Sequence, residues 1–425
     1  MSDADDQLRA EARRVLNATR LTPLTPLAGG ASRELLGFDA DDQQLVLLRA
    51  HAALGDRDRT QREWEALSAA HRAEVPVAEP LWRTADGLGI VMRRVPGEAI
   101  PRRVLRDQLG GEGSDDLLAE LAGAAAAVHR VTPDQVPALE RLPGSPALRE
   151  IAGLEALLDE FDEPHPAIEA GLRWLRARVP DRRETTLVHG DLRLGNIMVR
   201  DGRLVALLDW ELCHLGDGAE DLGWMCIRSW RFGADDRPAA GLGSRERLVE
   251  YYAAAGGEPV TLQELRWWET LANARWAVLC VRQASRHLSG AVRSHELAAI
   301  GRRACEPTWD MLELIGGADG AHTDAPQDRP DAHELLEAVA DYLRQDLLPD
   351  VPAEHRFGVR IAANSIAMVA REGAPLAPDR TAQRALADAI RRGEHDHRLD
   401  ELIAELRAEV RARVDIAHPG WTAAL

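Results

Sequence analysis

From about residue 99 to 316 the apolar spacing is helical almost throughout, over 114–130, 146–158, 165–179, 244–256, 261–288 and 292–315. One strand-rich island breaks it. The island reads Thr186-Leu-Val-His-Gly-Asp191, then Ile197-Met-Val199, a turn at Asp201-Gly202, and Leu204 to Leu208. Loops that leave apolar strands have rigid support and an exposed tip, which is how a reactive site is built.

The polar residues of this island are spaced for chemistry. Asp191 and Asn196 are five apart across a glycine-containing loop, so both side chains can face one cavity. Asp209-Trp-Glu211 follows thirteen residues after Asn196, and Gly216-Asp217 leads on to Asp221-Leu222. An Asn oxygen and the Asp209 carboxylate are hard oxygen ligands suited to Mg²⁺. Asp191 is then free to orient a hydroxyl and accept its proton. A metal with an orienting carboxylate is what phosphoryl transfer needs, since positioning and charge neutralisation dominate that reaction.

The first hundred residues read as a helix over 5–19, strands near 22–28, 33–38 and 43–49, a helix over 56–71, and strands over 79–84 and 88–95. Gly29, Gly30 and Ser32 lie between two of these strands. Glycines there let backbone N–H groups approach phosphates and Ser32 adds a hydroxyl donor, although Gly-Gly at a hairpin is also ordinary turn chemistry. Residues 318–330 are polar, contain Pro and Gly and have no period, which makes them the best linker candidate. Beyond them 331–348, 353–372 and 379–392 have helical spacing, and Leu399, Leu402, Ile403, Leu406 and Val410 form an i, i+3, i+4 stripe.

Composition excludes several mechanisms. All 52 basic residues are arginine, so no Schiff-base lysine, Walker-A lysine or lysine general base can operate. A formal net charge of −18 argues against nucleic-acid binding. The four cysteines, Cys213, Cys226, Cys280 and Cys305, form no CxxC pair. Neither a zinc site nor a disulfide framework is indicated, and a reducing, cytoplasmic setting fits them. The acidic N-terminus lacks the pattern of a signal peptide, and no run of about 18 apolar residues is present to span a membrane.

His189-Gly-Asp191 with Asn196, Asp209-Trp-Glu211, and Gly216-Asp217 leading to Asp221-Leu222 together resemble the aminoglycoside phosphotransferase family of protein-kinase-like small-molecule kinases. Within it, the chain looks closest to bacterial phosphotransferases related to the kinase domains fused to acyl-CoA dehydrogenases. The resemblance covers about 1–317, and the tail resembles a small helical domain of unassigned function. It implies an α+β, protein-kinase-like bilobal fold followed by a small all-α domain. The expected parts are an antiparallel-sheet N-lobe over 1–98, a mainly helical C-lobe over 99–317, a linker over 318–330 and a helical domain over 331–425.

Carried over by position, Asp191 is the expected base and Asn196 and Asp209 the metal ligands, with Glu211 supporting a second metal directly or through water. His189 would brace the catalytic loop, Asp221 would accept its backbone N–H groups, and Asp217 would cap a helix. Gly29, Gly30 and Ser32 would meet the nucleotide. Arg49 stands where related kinases place the lysine that grips phosphates, and Glu63 at the place of its carboxylate partner. The role of Arg33, which follows Ser32, is open. Met92 lies in the expected inter-lobe hinge, Ile90 to Gly97. The cofactors implied are ATP and Mg²⁺. The function implied is phosphorylation of a small-molecule hydroxyl, on a hydroxyacyl-CoA or similar metabolite, with an aminoglycoside-type antibiotic kinase and a nucleotide-binding pseudokinase as alternatives. Arg228 or Arg231 is the expected contact for an anionic acceptor. Trp224, Trp230, Trp267, Trp268 and Trp276 read mainly as core. A homodimer is compatible with the sequence, and the tail would dock on the kinase or bind a protein partner.

Overall fold

The computed structural model describes residues 3–27, 33–50, 56–109, 114–161, 163–181, 185–289, 291, 295–317, 336, 340, 342–372 and 379–423. The chain divides into two compact units. The first comprises residues 1–146, 182–226 and 230–265, and the second 147–181, 227–229 and 266–425.

The first unit opens with α1 (Asp3–Leu16), followed by β1 (Thr25–Pro26), β2 (Arg33–Ala40), β3 (Gln43–Ala50), α2 (Arg57–Arg72), β4 (Pro80–Arg83) and β5 (Gly89–Arg93). The strands form one antiparallel sheet in the order β1-β2-β3-β5-β4. Alternation in β3 sends Leu45 and Leu47 into the core, where they meet Phe38, Trp82 and Val91 and the buried face of α1 at Leu8 and Ala12. Asp56 caps α2, its carboxylate accepting from the N–H groups of Asp58 and Arg59.

Then come α3 (Pro101–Arg103) and α4 (Ser114–Val128), and later the expected island: β6 (Thr186–Val188), β7 (Ile197–Arg200) and β8 (Arg203–Leu207). β7 and β8 make the hairpin read from the sequence. β6 instead pairs with β9 (His214–Gly216), a strand the sequence pattern does not announce because it is only three residues long. Glu98 and Val199 exchange backbone hydrogen bonds of 2.8 and 3.0 Å, which ties the segment after β5 to the hairpin. α7 (Ala219–Cys226) and α8 (Arg245–Ala254) follow α5 (Pro146–Asp159) and α6 (Pro166–Arg176) in chain order.

The second unit holds most of α5, α6 and α9 (Leu262–Leu288), with α10 (His295–Arg302), α11 (Cys305–Ile315), α12 (Arg356–Glu372), α13 (Arg380–Arg391) and α14 (Leu399–Ala417). The stripe read from the sequence is the buried face of α14, which packs on α6 and α11. Arg391 of α13 ion-pairs with Glu169 of α6 and Asp159 of α5. Trp421 donates from Nε1 to Asp310 of α11 at 3.0 Å. The tail helices therefore bury their apolar stripe inside this unit. Residues 318–330 lie outside the described residues. Among the described residues no helix is long and apolar enough to cross a membrane.

Candidate active site

The loop from β6 to β7 is held from beneath by one carboxylate. Asp221, fully buried on α7, accepts the N–H of His189 at 2.8 Å and that of Gly190 at 2.9 Å. His129 Nε2 lies 3.0 Å from the same carboxylate, and its Nδ1 lies 2.9 Å from the Tyr252 hydroxyl. Burial alone would push Asp221 up, but the hydrogen bond and charge of His129, with His189, hold it below the usual carboxylate range. His189 accepts the Asp191 N–H at Nδ1 (3.3 Å) and reaches the Leu208 carbonyl from Nε2 (3.0 Å), partners that select the neutral Nε2–H tautomer. Burial lowers its pKa in agreement. Gly190 between them has φ +80°, and a Cβ there would fall 2.3 Å from the Leu212 carbonyl oxygen, so only glycine fits.

This scaffold presents Asp191. Its Oδ1 accepts from Trp224 Nε1 at 2.7 Å and Arg193 Nε at 2.9 Å, and its Oδ2 from Asn196 Nδ2 at 2.5 Å. The side chain keeps 12% of its surface accessible, so a substrate atom can reach it. Asn196 Nδ2 also donates to the Asp191 carbonyl at 3.0 Å. The amide thus spends both hydrogens on Asp191, and Oδ1 is what remains as a ligand atom.

Asp209 follows β8 in a left-handed backbone, φ 59°, a conformation uncommon outside glycine that tends to mark functional sites. Its surface is exposed. Even so, partial desolvation and then the like charges of Glu211, Asp191 and Glu63 push it up to about 7, against the pull of Arg33. An all-oxygen donor set with surplus negative charge fits Mg²⁺. Glu211 is held by Arg59, and Arg33 Nε lies 3.9 Å from it.

The structure does not bring Arg49 and Glu63 together. Arg49 Nη2 lies 2.5 Å from Asp86 Oδ2. Glu63, buried on α2, ion-pairs with buried Arg33, and burial outweighs that pair to raise its pKa. Met92 lies on β5 opposite Val46 of β3. Gly29, Gly30 and Ser32 lie outside the described residues. Asp217 accepts the Ala219 N–H at 2.9 Å at the start of α7, as a cap does. Arg228 and Arg231 are both buried: Arg228 donates to the Trp421 carbonyl and Arg231 to the Cys226 carbonyl. The expected contact with an acceptor does not follow from their placement.

Sequence reasoning missed four participants. Arg193 is within the motif itself, two residues after Asp191, and could have been noticed there. Trp224 reads as core and is core by burial, yet its N–H aims at Asp191. Arg59 and His129 reach the site only through the fold, and nothing local in the sequence marks them.

The profile of the phosphotransferase enzyme family, APH, matches residues 23–268. That of a domain of unknown function, DUF6285, matches residues 373–421. Acyl-CoA dehydrogenase family member 10 of Mus musculus is 42% identical over 165 residues, 36% of this chain and 15% of that protein. Acyl-CoA dehydrogenase family member 11 of Pongo abelii is 27% identical over 246 residues, 53% of this chain and 31% of that protein. The chain thus spans less than a third of the length of these curated relatives. Among solved structures, a candidate aminoglycoside phosphotransferase from Ralstonia eutropha JMP134 superposes with a TM-score of 0.61 at 24% identity, covering 73% of this chain and 97% of that one. A choline/ethanolamine kinase family protein from Mesorhizobium loti superposes with a TM-score of 0.50 at 19% identity, covering 85% and 99%. Both likenesses are of fold, the α+β protein-kinase-like fold. With the profile covering more than half of the chain and the whole constellation around Asp191 inside it, the chain belongs to the phosphotransferase enzyme family, whose members transfer phosphoryl groups to hydroxyls of small molecules.

Proposed function

We propose that this chain is an ATP- and Mg²⁺-dependent kinase for the hydroxyl of a hydroxyacyl-CoA or similar hydroxylated metabolite. The observation that carries the kinase reading is the placement of Asp191, Asn196, Asp209 and Glu211 around one acidic site on loops anchored by Asp221. The acceptor class rests on the acyl-CoA dehydrogenase family relatives that share this segment.

In this reading Asp191 orients the acceptor hydroxyl and takes its proton. The hydroxyl oxygen bonds to the γ-phosphorus as the bond from that phosphorus to the bridging oxygen of ADP breaks. Trp224, Arg193 and Asn196 hold the Asp191 carboxylate in one rotamer, so little orientation is left to lose when the acceptor arrives. Asn196 Oδ1, Asp209 and Glu211 would hold Mg²⁺, which neutralises charge on the phosphates when bound. Arg49 is the proposed phosphate contact, releasing Asp86 for the nucleotide. Arg33 braces Glu63 behind it.

ADP release measured against a panel of hydroxyacyl-CoA esters, aminoglycosides, choline-like amines and amino alcohols tests the reading. Stimulation is expected with hydroxyacyl-CoA esters and a loss of at least about a hundredfold in Asp191→Asn. Turnover surviving in that variant would overturn the assigned base. Stimulation by no acceptor would instead mark a nucleotide-binding interaction module.

A further inference from the structure

We propose that Arg193 is the specificity residue of this site, gripping an anionic group, a carboxylate or phosphate, that the acceptor carries close to its reacting hydroxyl. The inference rests on the kinase reading and chooses, within it, a similar hydroxylated metabolite with a free carboxylate or phosphate over the hydroxyacyl-CoA, whose carboxyl is a neutral thioester.

The two oxygens of Asp191 divide the site. Oδ2 is bonded to Asn196, whose remaining amide oxygen belongs to the metal side. Oδ1 is bonded to Arg193 and Trp224, so a group gripped by Arg193 lies close to the base that receives the acceptor hydroxyl. Only Nε of Arg193 is spent on Asp191. Among the described residues Nη1 and Nη2 make no hydrogen bond or ion pair, and the side chain is 23% accessible. The guanidinium carbon sits 4.5 Å from the centroid of the Trp230 ring, which fixes the plane of the fork. Trp230 is in turn 5.6 Å from Trp224, centroid to centroid.

Gly195 makes room for this arrangement. A Cβ at Gly195 would fall 2.3 Å from Nη1, so the glycine keeps the outer edge of the guanidinium in place. A planar fork with two open N–H-bearing corners, already oriented by stacking, is the donor geometry that matches two oxygens of one anion. Arg228 and Arg231 are committed to backbone carbonyls and bury their charge elsewhere.

The test uses matched acceptors on the full chain: 3-hydroxybutyrate and 4-hydroxybutyrate, each against its methyl ester, and glycerol 3-phosphate against glycerol. Turnover is followed by ADP release, and binding without nucleotide by quenching of tryptophan fluorescence. The wild type is expected to favour the anionic member of a pair by about tenfold or more in kcat/KM. Arg193→Gln is expected to raise the KM of the anionic acceptor by about tenfold or more and to leave that of the neutral acceptor in place; because Arg193 also holds Asp191, any fall in kcat strikes both members of a pair alike. Arg193→Lys keeps the charge and recovers part of the loss, and Gly195→Ala, which displaces the fork, behaves like Arg193→Gln. Equal loss of kcat with both members of a pair, at unchanged KM, would overturn the proposal. A wild type that prefers the neutral acceptor would overturn it too. Turnover of no acceptor, with fluorescence quenching by the acid that is lost in Arg193→Gln, sinks the kinase reading and leaves the anion site standing.

Discussion

The buried carboxylate of Glu63 takes its cation from Arg33 on β2, while Arg49 on the neighbouring strand β3 reaches out to Asp86. The two arginines therefore have different duties. Arg33 and Glu63 are both almost fully withdrawn from water, and removing one partner strands the other. Arg33→Ala is expected to cost about 3–5 kcal/mol in urea unfolding, and a second change, Glu63→Leu, should recover much of it. Arg49→Ala, at a partly exposed pair, should change stability by no more than about 1 kcal/mol and act instead on the KM for ATP, raising it. An unchanged ATP KM in Arg49→Ala would remove Arg49 from the phosphate grip.

Gly190→Ala tests the geometry of the catalytic loop. The backbone there is left-handed and the added methyl would collide with the Leu212 carbonyl. The left-handed conformation alone costs about 1–3 kcal/mol for a residue with a side chain. Thermal unfolding should show at least that loss, and Asp191 would leave its position, abolishing turnover. A variant with wild-type stability and rate would show that the loop tolerates another path.

Divalent-ion binding should depend on pH through Asp209. With its pKa at about 7 before a metal binds, the carboxyl is mostly protonated at pH 6 and mostly ionised at pH 8, and a metal must displace that proton. Mn²⁺ affinity, read by titration calorimetry, should tighten by about tenfold from pH 6 to pH 8. Asp209→Asn should bind more weakly and lose that slope.

His165, before α6 in the second unit, supplies a separate titration. Burial lowers its pKa to about 4. The unfolded chain therefore binds a proton below about pH 6.5 that the folded chain refuses, and the histidine costs stability as pH falls from 6.5 towards 4. His165→Gln removes that cost. The stability of the wild type relative to the variant should fall by up to about 1.4 kcal/mol per pH unit across this window, measured by urea unfolding at pH 7, 6 and 5. A constant difference would mean that His165 titrates normally.

Strands β2, β3, β5, β7 and β8 and the long helices were legible because each carries its own period, of two or of 3.6, within a few residues. The stripe on α14 was legible for the same reason. β9 was not, since three residues carry no period. The meeting of Asp191 and Asn196 could be read because both lie in one short loop, with Asp209 following the next hairpin. The partner of Glu63 could not be read, because Arg33 and Arg49 are equally basic in the sequence and end up at one end of the β2–β3 ladder on opposite faces of the sheet, Arg33 opposite Ala50 and Arg49 opposite Glu34. Asp221 shows the middle case: its place in the motif suggested a buried acceptor, but the His129–Tyr252 pair behind it spans more than a hundred residues of chain.

The cations paired with Glu63, Glu211 and Asp191, namely Arg33, Arg59 and Arg193, are all guanidinium groups, and the chain contains no lysine. Nucleotide probes that tag kinases by acylating an amine near the phosphates find no side chain to capture here. Chemical-labelling surveys built on such probes would pass over this enzyme even where it is abundant and active. Dicarbonyl reagents such as phenylglyoxal, which react with guanidinium groups, are the footprinting chemistry suited to it, with ATP as the protecting ligand.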